Sequence, residues 1–104
     1  DDGDELPALG GMRIVHAPGH TAGSISLHFP NRGVLLVGDA MQYKFGRLML
    51  PSRLFTQDMP AATASIHKLA SLDFETLCFS HFRPILGGAD QKVREFVRTL
   101  PPSK

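Results

Sequence analysis

Val34-Leu35-Leu36-Val37 is the run that most restricts how this chain can fold. Four apolar residues in a row, without alternation, describe a strand covered on both faces. The run stops abruptly at Gly38-Asp39. Cover on one side is available from the chain itself. Ala62, Ile66, Leu69 and Ala70 recur at i, i+4, i+7 and i+8, and Asp58 ahead of Pro60 predicts a capped helix running to about Ser71. Val93, Phe96, Val97 and Leu100 recur at i, i+3, i+4 and i+7, between Gly87-Gly88 and the stop at Pro101-Pro102. Two helices can cover only one side of a sheet. The sequence therefore predicts that something outside this chain buries the other side.

The remaining strands are short. Met12 to His16 is one, broken by Pro18-Gly19. Ser24 to Phe29 alternates, with Ile25, Leu27 and Phe29 on one face and Ser24, Ser26 and His28 on the other, which predicts a half-buried strand. Pro30 to Gly33 is a turn that joins it to Val34–Val37 as a hairpin. Thr76 to Phe79 is the last strand. Residues 1–11 read as a loop or frayed end. Residues 40–57 read as a long loop with large apolar residues, either a lid or binding loop or an irregular connection packed on the core. The order predicts an α+β chain, a mixed sheet with helices on one face. At 104 residues it is one domain at most.

A formal net charge of +1 gives no case for nucleic acid or an anionic membrane surface. Lys92, Arg94 and Arg98 are expected on the solvated face of the second helix. The single cysteine, Cys78, excludes an internal disulfide and reads as a small buried hydrophobe. No apolar run is long enough to cross a membrane as a helix. No signal peptide is visible and the chain does not start with Met, which reads as a trimmed or interior start; a cytoplasmic setting is favoured.

Three residues follow apolar runs at positions suited to chemistry. His20 follows the tight Pro18-Gly19 turn, with the hydroxyls of Thr21 and Ser24 near enough in sequence to orient it. Asp39 ends Val34–Gly38, where an unpaired carboxylate is expensive to bury and calls for a cation, a hydrogen-bond network or a helix N-terminus. His81 follows Thr76–Ser80 in the same way, with Pro84 stiffening the loop. Two imidazoles and a carboxylate at strand ends suit a metal. The plain alternatives are a structural network for Asp39 and a hydrogen-bonded loop histidine at 81. His16 is placed to support a ligand rather than to be one, and His28 and His67 read as structural. Ser24 and Ser26 lack the strand-turn-helix elbow of a serine nucleophile.

These segments resemble the metallo-β-lactamase fold superfamily, in particular its glyoxalase II-like metallohydrolases. The resemblance is carried by Ala17-Pro18-Gly19-His20-Thr21-Ala22-Gly23-Ser24, by Val34 to Ala40, and by Ser80-His81-Phe82-Arg83-Pro84-Ile85, and it runs from about Gly11 to Leu100. It implies that His20, Asp39 and His81 are metal ligands, with Asp39 bridging two ions and Thr21, Ser24 and His16 supporting them. It implies two zinc ions in the complete protein, with iron or manganese compatible, and cleavage of an ester, thioester, lactone or related bond in a small-molecule substrate by a metal-activated hydroxide. Ser80-His81-Phe82 departs from the family's Gly-His-Gly. The family's His-x-His-x-Asp-His segment is absent from the chain. The resemblance therefore identifies residues 1–104 as the C-terminal half of the domain, inactive alone, whose missing sheet would lie on the uncovered face. The alternative is a catalytically inert half-fold that serves as a binding module or pairs with a second copy.

Overall fold

In the computed structural model, residues 5–6, 11–19, 25–51, 56–80 and 83–100 are described. The run from Val34 forms strand β4 (Val34–Gly38), and its neighbours build a mixed sheet around it. Ahead of it come β1 (Glu5–Leu6), β2 (Met12–His16) and β3 (Ile25–Phe29), each antiparallel to the next. After it come β7 (Thr76–Phe79), parallel to β4, and β8 (Ile85–Leu86), antiparallel to β7. The sheet order is β1-β2-β3-β4-β7-β8. Between β4 and β7 lie a separate hairpin, β5 (Gln42–Lys44) with β6 (Arg47–Met49), and helix α1 (Met59–Ala70). Helix α2 (Ala89–Val97) follows β8. The fold is α+β, as the sequence predicts.

Asp58 caps α1 through its carboxylate, which accepts a hydrogen bond from the Ala61 N–H at 3.0 Å. Ala62, Ile66, Leu69 and Ala70 are all buried. They pack with Val93 and Ala89 of α2 against Val15, Leu35, Val37, Leu77 and Ile85 of the sheet. Full burial of each of the larger side chains contributes about 1.5–3 kcal/mol. Arg94 ties the helices together, its guanidinium donating to the carbonyls of Ala70 at 3.1 Å and Leu72 at 2.9 Å. The Ala70 carbonyl is one that the end of α1 cannot satisfy for itself, and Leu72 follows the cap residue Ser71.

The two sheet faces differ. Val15, Leu35, Val37, Leu77 and Ile85 face the helices and are buried. Ile14, Leu27, Leu36 and Cys78 stand in one cross-strand row on the opposite face and are only half-buried. On that face Ile25 is 49% exposed and Leu86 76% exposed. One side is covered from within the chain and the other is not.

Several expectations are corrected. The alternation in β3 is real, but the helix-covered side takes Ser26 and His28, 1% and 5% exposed, and the other side takes Ile25, Leu27 and Phe29, of which only Phe29 is buried. Register sets this: Val15 pairs with Ser26, so both face α1, where His28 Nε2 donates to the Asp73 carbonyl at 2.8 Å. Cys78 is half-buried rather than buried, because it sits in the open row. Arg94 is not on a solvated face, as its contacts with α1 show. α2 ends at Val97 rather than at Pro101-Pro102; the Thr99 hydroxyl and N–H both take the Phe96 carbonyl, which closes the helix early. Residues 40–57 are not one loop, since β5 and β6 lie within them. Glu5–Leu6 pairs with β2 inside the stretch read as a frayed end. Among the described residues no helix is long and apolar enough to cross a membrane.

Candidate metal centre

Strand direction brings the candidate residues to one edge. β2 is antiparallel to β3, β3 to β4, and β4 is parallel to β7, so β2, β4 and β7 run the same way. Their last residues are His16, Gly38 and Phe79. In sequence, position 20 follows the first, Asp39 follows the second directly, and position 81 follows the third. Open sheets commonly place sites beyond the carboxyl ends of their strands.

Gly38 turns the chain out of β4 with φ +59, a left-handed conformation that favours glycine. The Ala40 N–H donates to the Val37 carbonyl at 3.1 Å, closing a turn with Asp39 exposed on it. Ala40 and Met41 are buried directly behind it and fix the turn to the core. The Ser80 N–H donates to the Gly38 carbonyl at 3.2 Å. The residue before Asp39 and the residue before His81 are thus joined by a hydrogen bond. The β4–β7 register shifts between Leu36 and Gly38, an irregularity of the kind that re-aims a strand end.

The turn ahead of residue 20 is held by α1. The Pro18 carbonyl accepts from the Ser65 hydroxyl at 2.7 Å, the Gly19 carbonyl from the Asp58 N–H at 2.8 Å, and the His16 carbonyl from Lys68 Nζ at 3.0 Å. Gly19 has φ +139, and a Cβ there would stand 2.2 Å from the Ala62 Cα. Only glycine lets the turn press this closely onto the helix backbone. The Pro18-Gly19 pair is therefore a packing device as well as a turn.

Of the sequence-predicted residues, Asp39 and His16 are described; His16 is half-buried at the end of β2. His20, Thr21, Ser24 and His81 lie outside the described residues. Among the described residues no three His, Cys, Asp or Glu side chains gather as a metal site would require. His28 lies under the helices and serves the Asp73 carbonyl rather than the edge. Two imidazoles and a carboxylate suit zinc, iron or manganese. At the described part of the edge, Asp39 is exposed on a turn that is pinned from behind and tied through Gly38 to Ser80.

Sequence reasoning missed the hairpin beside this edge. The Tyr43 ring stacks on Phe79, centroids 5.8 Å apart and planes at 9°. Tyr43 pairs with Leu48 across the hairpin, and both pack against the core. Phe45 and Gly46 make the two-residue turn with φ +54 and +72, the signs of a type I′ turn. A left-handed Phe costs about 1–2 kcal/mol. The signal in the sequence was a residue-glycine pair between short alternating segments, obscured because Phe stands where Asn or Asp is usual.

A sequence model of the metallo-beta-lactamase superfamily matches residues 1–81. A probable metallo-hydrolase, YflN of Bacillus subtilis, is 36% identical over 98 residues, spanning 84% of this chain and 37% of its own length. A hydroxyacylglutathione hydrolase of Cereibacter sphaeroides is 36% identical over 70 residues, 66% of this chain and 26% of its own. Among solved structures, the metallo-beta-lactamase family protein TTHA1429 of Thermus thermophilus superposes with TM-score 0.72 at 28% identity, over 94% of this chain and 33% of that one. TTHA1623, solved in a di-iron-bound form, gives 0.68 at 25% identity, over 92% and 46%. The chain therefore spans less than half of each of these relatives.

Proposed function

The chain belongs to the metallo-beta-lactamase superfamily, and from that premise we propose that it is the C-terminal half, residues 1–104, of a metal-dependent hydrolase domain. In this reading His20, Asp39 and His81 hold the metals, with Asp39 shared between two ions. Thr21, Ser24 and His16 orient the ligands. The bond cleaved is an ester, thioester, lactone or related bond; the hydroxyacylglutathione hydrolase similarity favours a thioester. Zinc is the first choice, and the di-iron form of one relative keeps iron open. Metals held there would supply a hydroxide nucleophile at neutral pH and positive charge for a developing oxyanion.

The observation that carries this reading is the common direction of β2, β4 and β7, which puts Gly19, Asp39 and Ser80 after strand ends on one edge. The Gly38–Ser80 hydrogen bond and the α1 clamp on Pro18-Gly19 hold that edge in shape. The remaining ligands, and the layer that buries Ile14, Leu27, Leu36 and Cys78, come from the other half of the fold. A half-fold that pairs with a second copy would use the same open face, and the metal separates the two readings.

The test is elemental analysis of the full-length protein with Asp39→Ala beside it, together with thioester hydrolysis. The expected result is bound metal in the wild type, lost or halved in the variant. Hydrolysis should fall by about 10³-fold, roughly 4 kcal/mol of barrier. Unchanged metal content in Asp39→Ala would overturn the ligand assignment. A metal-free, inactive wild type would favour the pairing module.

A further inference from the structure

We propose that Ser65 of α1 is a positioning residue for the metal ligand at position 20; the inference rests on the hydrolase reading above. The segment from His16 to Gly19 is laid along α1. The His16 carbonyl accepts from Lys68 Nζ at 3.0 Å, the Pro18 carbonyl from the Ser65 hydroxyl at 2.7 Å and the Gly19 carbonyl from the Asp58 N–H at 2.8 Å. Ala17, between them, is buried in the core. Asp58, Ala62, Ser65 and Lys68 stand at i, i+4, i+7 and i+10, so they form one stripe along the helix. The segment therefore runs antiparallel to α1. Its last residue, Gly19, presses on the Ala62 backbone in the first turn of the helix. Residue 20 is next in the chain.

Ser65 is singled out by how it uses its hydroxyl. A serine or threonine inside a helix commonly bonds back to a carbonyl three or four residues earlier. Thr63 does so, donating to the Met59 carbonyl at 3.0 Å, and Ser71 donates to the Lys68 carbonyl at 2.7 Å. Ser65 instead reaches out of the helix, to a carbonyl 47 positions away in sequence. It is 4% exposed, among the buried Ala62, Ile66, Leu69 and Ala70. Alanine is the better helix former, so the stability of α1 does not call for a hydroxyl at this position. The Pro18 carbonyl does. The Lys68 bond is exposed to solvent and the Asp58 bond belongs to the backbone. The Ser65 bond is the one made by a buried side chain, and it fixes the residue two before His20. A ligand whose backbone is already held loses less freedom when the metal binds, and the groups that hold it contribute to affinity.

The experiment uses the full-length protein, prepared metal-free, with Ser65→Ala and Thr63→Ala. Zinc affinity is measured by competition with a chelator, and the visible spectrum is recorded after loading with cobalt(II). Both variants remove one hydroxyl from α1, and only Ser65→Ala releases the Pro18 carbonyl. Ser65→Ala should bind zinc about tenfold more weakly, the scale of losing a group that orients a ligand, and its cobalt bands should shift or lose intensity. Thr63→Ala should match the wild type in both. Hydrogen exchange of the wild type supplies a readout that needs no variant. Zinc should slow exchange of the Asp58 N–H, which bonds to the Gly19 carbonyl, about tenfold more than that of the Asp90 N–H, which bonds to the Phe74 carbonyl. Should Ser65→Ala not fold, this comparison decides. Equal zinc affinity in wild type and Ser65→Ala overturns the proposal, as do equal losses in the two variants or equal slowing at Asp58 and Asp90. Each of those outcomes leaves the hydrolase reading standing. A wild type that binds neither zinc nor cobalt overturns that reading, and the proposal with it.

Discussion

The two faces of the sheet are built from similar residues and end in different states. Val15, Leu35, Val37 and Leu77 lie under α1 and α2 and are buried; Ile14, Leu36 and Cys78, one residue out of phase on the same strands, are half-buried. The covered face even accepts the polar Ser26 and His28, while the open face carries Ile25 and Leu86. Hydrophobicity alone therefore does not tell which side of a strand the chain covers. What decides is where the helices fall, and they fall on one side. The open side leaves Ile25 and Leu86 exposed, and in the proposed reading its cover is the other half of the fold.

The largest expected effects test whether that cover exists. Leu77→Ala removes a fully buried side chain and should destabilise the full-length protein by about 2–5 kcal/mol. Leu36→Ala, its neighbour on the open face, should cost the full-length protein a similar amount if the other half of the fold lies on it. In the 104-residue chain alone, Leu36→Ala should cost about 1 kcal/mol, since half the side chain is already in solvent. Urea unfolding of both variants in both lengths reads the difference. A Leu36→Ala cost near 1 kcal/mol in the full-length protein would mean that the face stays open.

A second contrast lies along the candidate edge. Gly19 and Gly46 both have positive φ, but a Cβ at 19 meets the Ala62 backbone and one at 46 meets nothing within 4 Å. Gly19→Ala should destabilise by about 3 kcal/mol, combining strain with overpacking. Gly46→Ala should cost about 1 kcal/mol, from backbone conformation alone. Because residue 19 precedes His20, Gly19→Ala should also lower metal content, and Gly46→Ala should not. Thermal melts and elemental analysis of the pair check this. Equal costs would mean that the close approach of Gly19 to α1 does not matter.

Much of the fold was legible in the sequence. The Asp58 cap and the spacing from Ala62 to Ala70 locate α1 to within a residue, because a side-chain cap and a 3.6-residue period are local signals. The unalternating run at 34–37 is a strand whose helix-side residues are buried and whose Leu36 is left half-buried, the asymmetry from which a covering layer is expected. Local signals fail where pairing decides. The orientation of β3 depends on its register with β2, and β1 and β8 are two-residue strands that exist only through their partners. At the site, the position of Asp39 after a strand end is readable. Its link to Ser80 through the Gly38 carbonyl is not, because it comes from the parallel pairing of strands separated by α1.

His28 gives a smaller effect, specific to the covered face. Its Nε2 hydrogen bond to the Asp73 carbonyl joins β3 to the segment after α1, and Arg94 binds the neighbouring Leu72 carbonyl. His28 Nδ1 and Ser26 Oγ are buried with no protein partner in the structure. His28→Leu should cost about 1–3 kcal/mol, because it orphans the Asp73 carbonyl. Leucine would at the same time remove the unpartnered nitrogen, which places the result toward the lower end. Denaturant unfolding measures it. A stabilised variant would mean that the unpartnered nitrogen outweighs the hydrogen bond.

The smallest expected effect tests how far along the sheet any covering layer would reach. Leu86 is on the open face, but it belongs to a two-residue strand at the sheet's edge and is largely in solvent. Isolated exposed leucines are common on protein surfaces and need no partner. Leu86→Ser should therefore change the stability of the full-length protein by no more than about 0.5 kcal/mol. Ile85→Ser, the next residue on the covered face, should cost several times more, since it places an unpaired hydroxyl in the core. Unfolding curves for the two variants compare the faces at one point in the chain. A loss above about 1.5 kcal/mol for Leu86→Ser, on the scale of a fully buried leucine, would show that the covering half extends past β7 to the last strand.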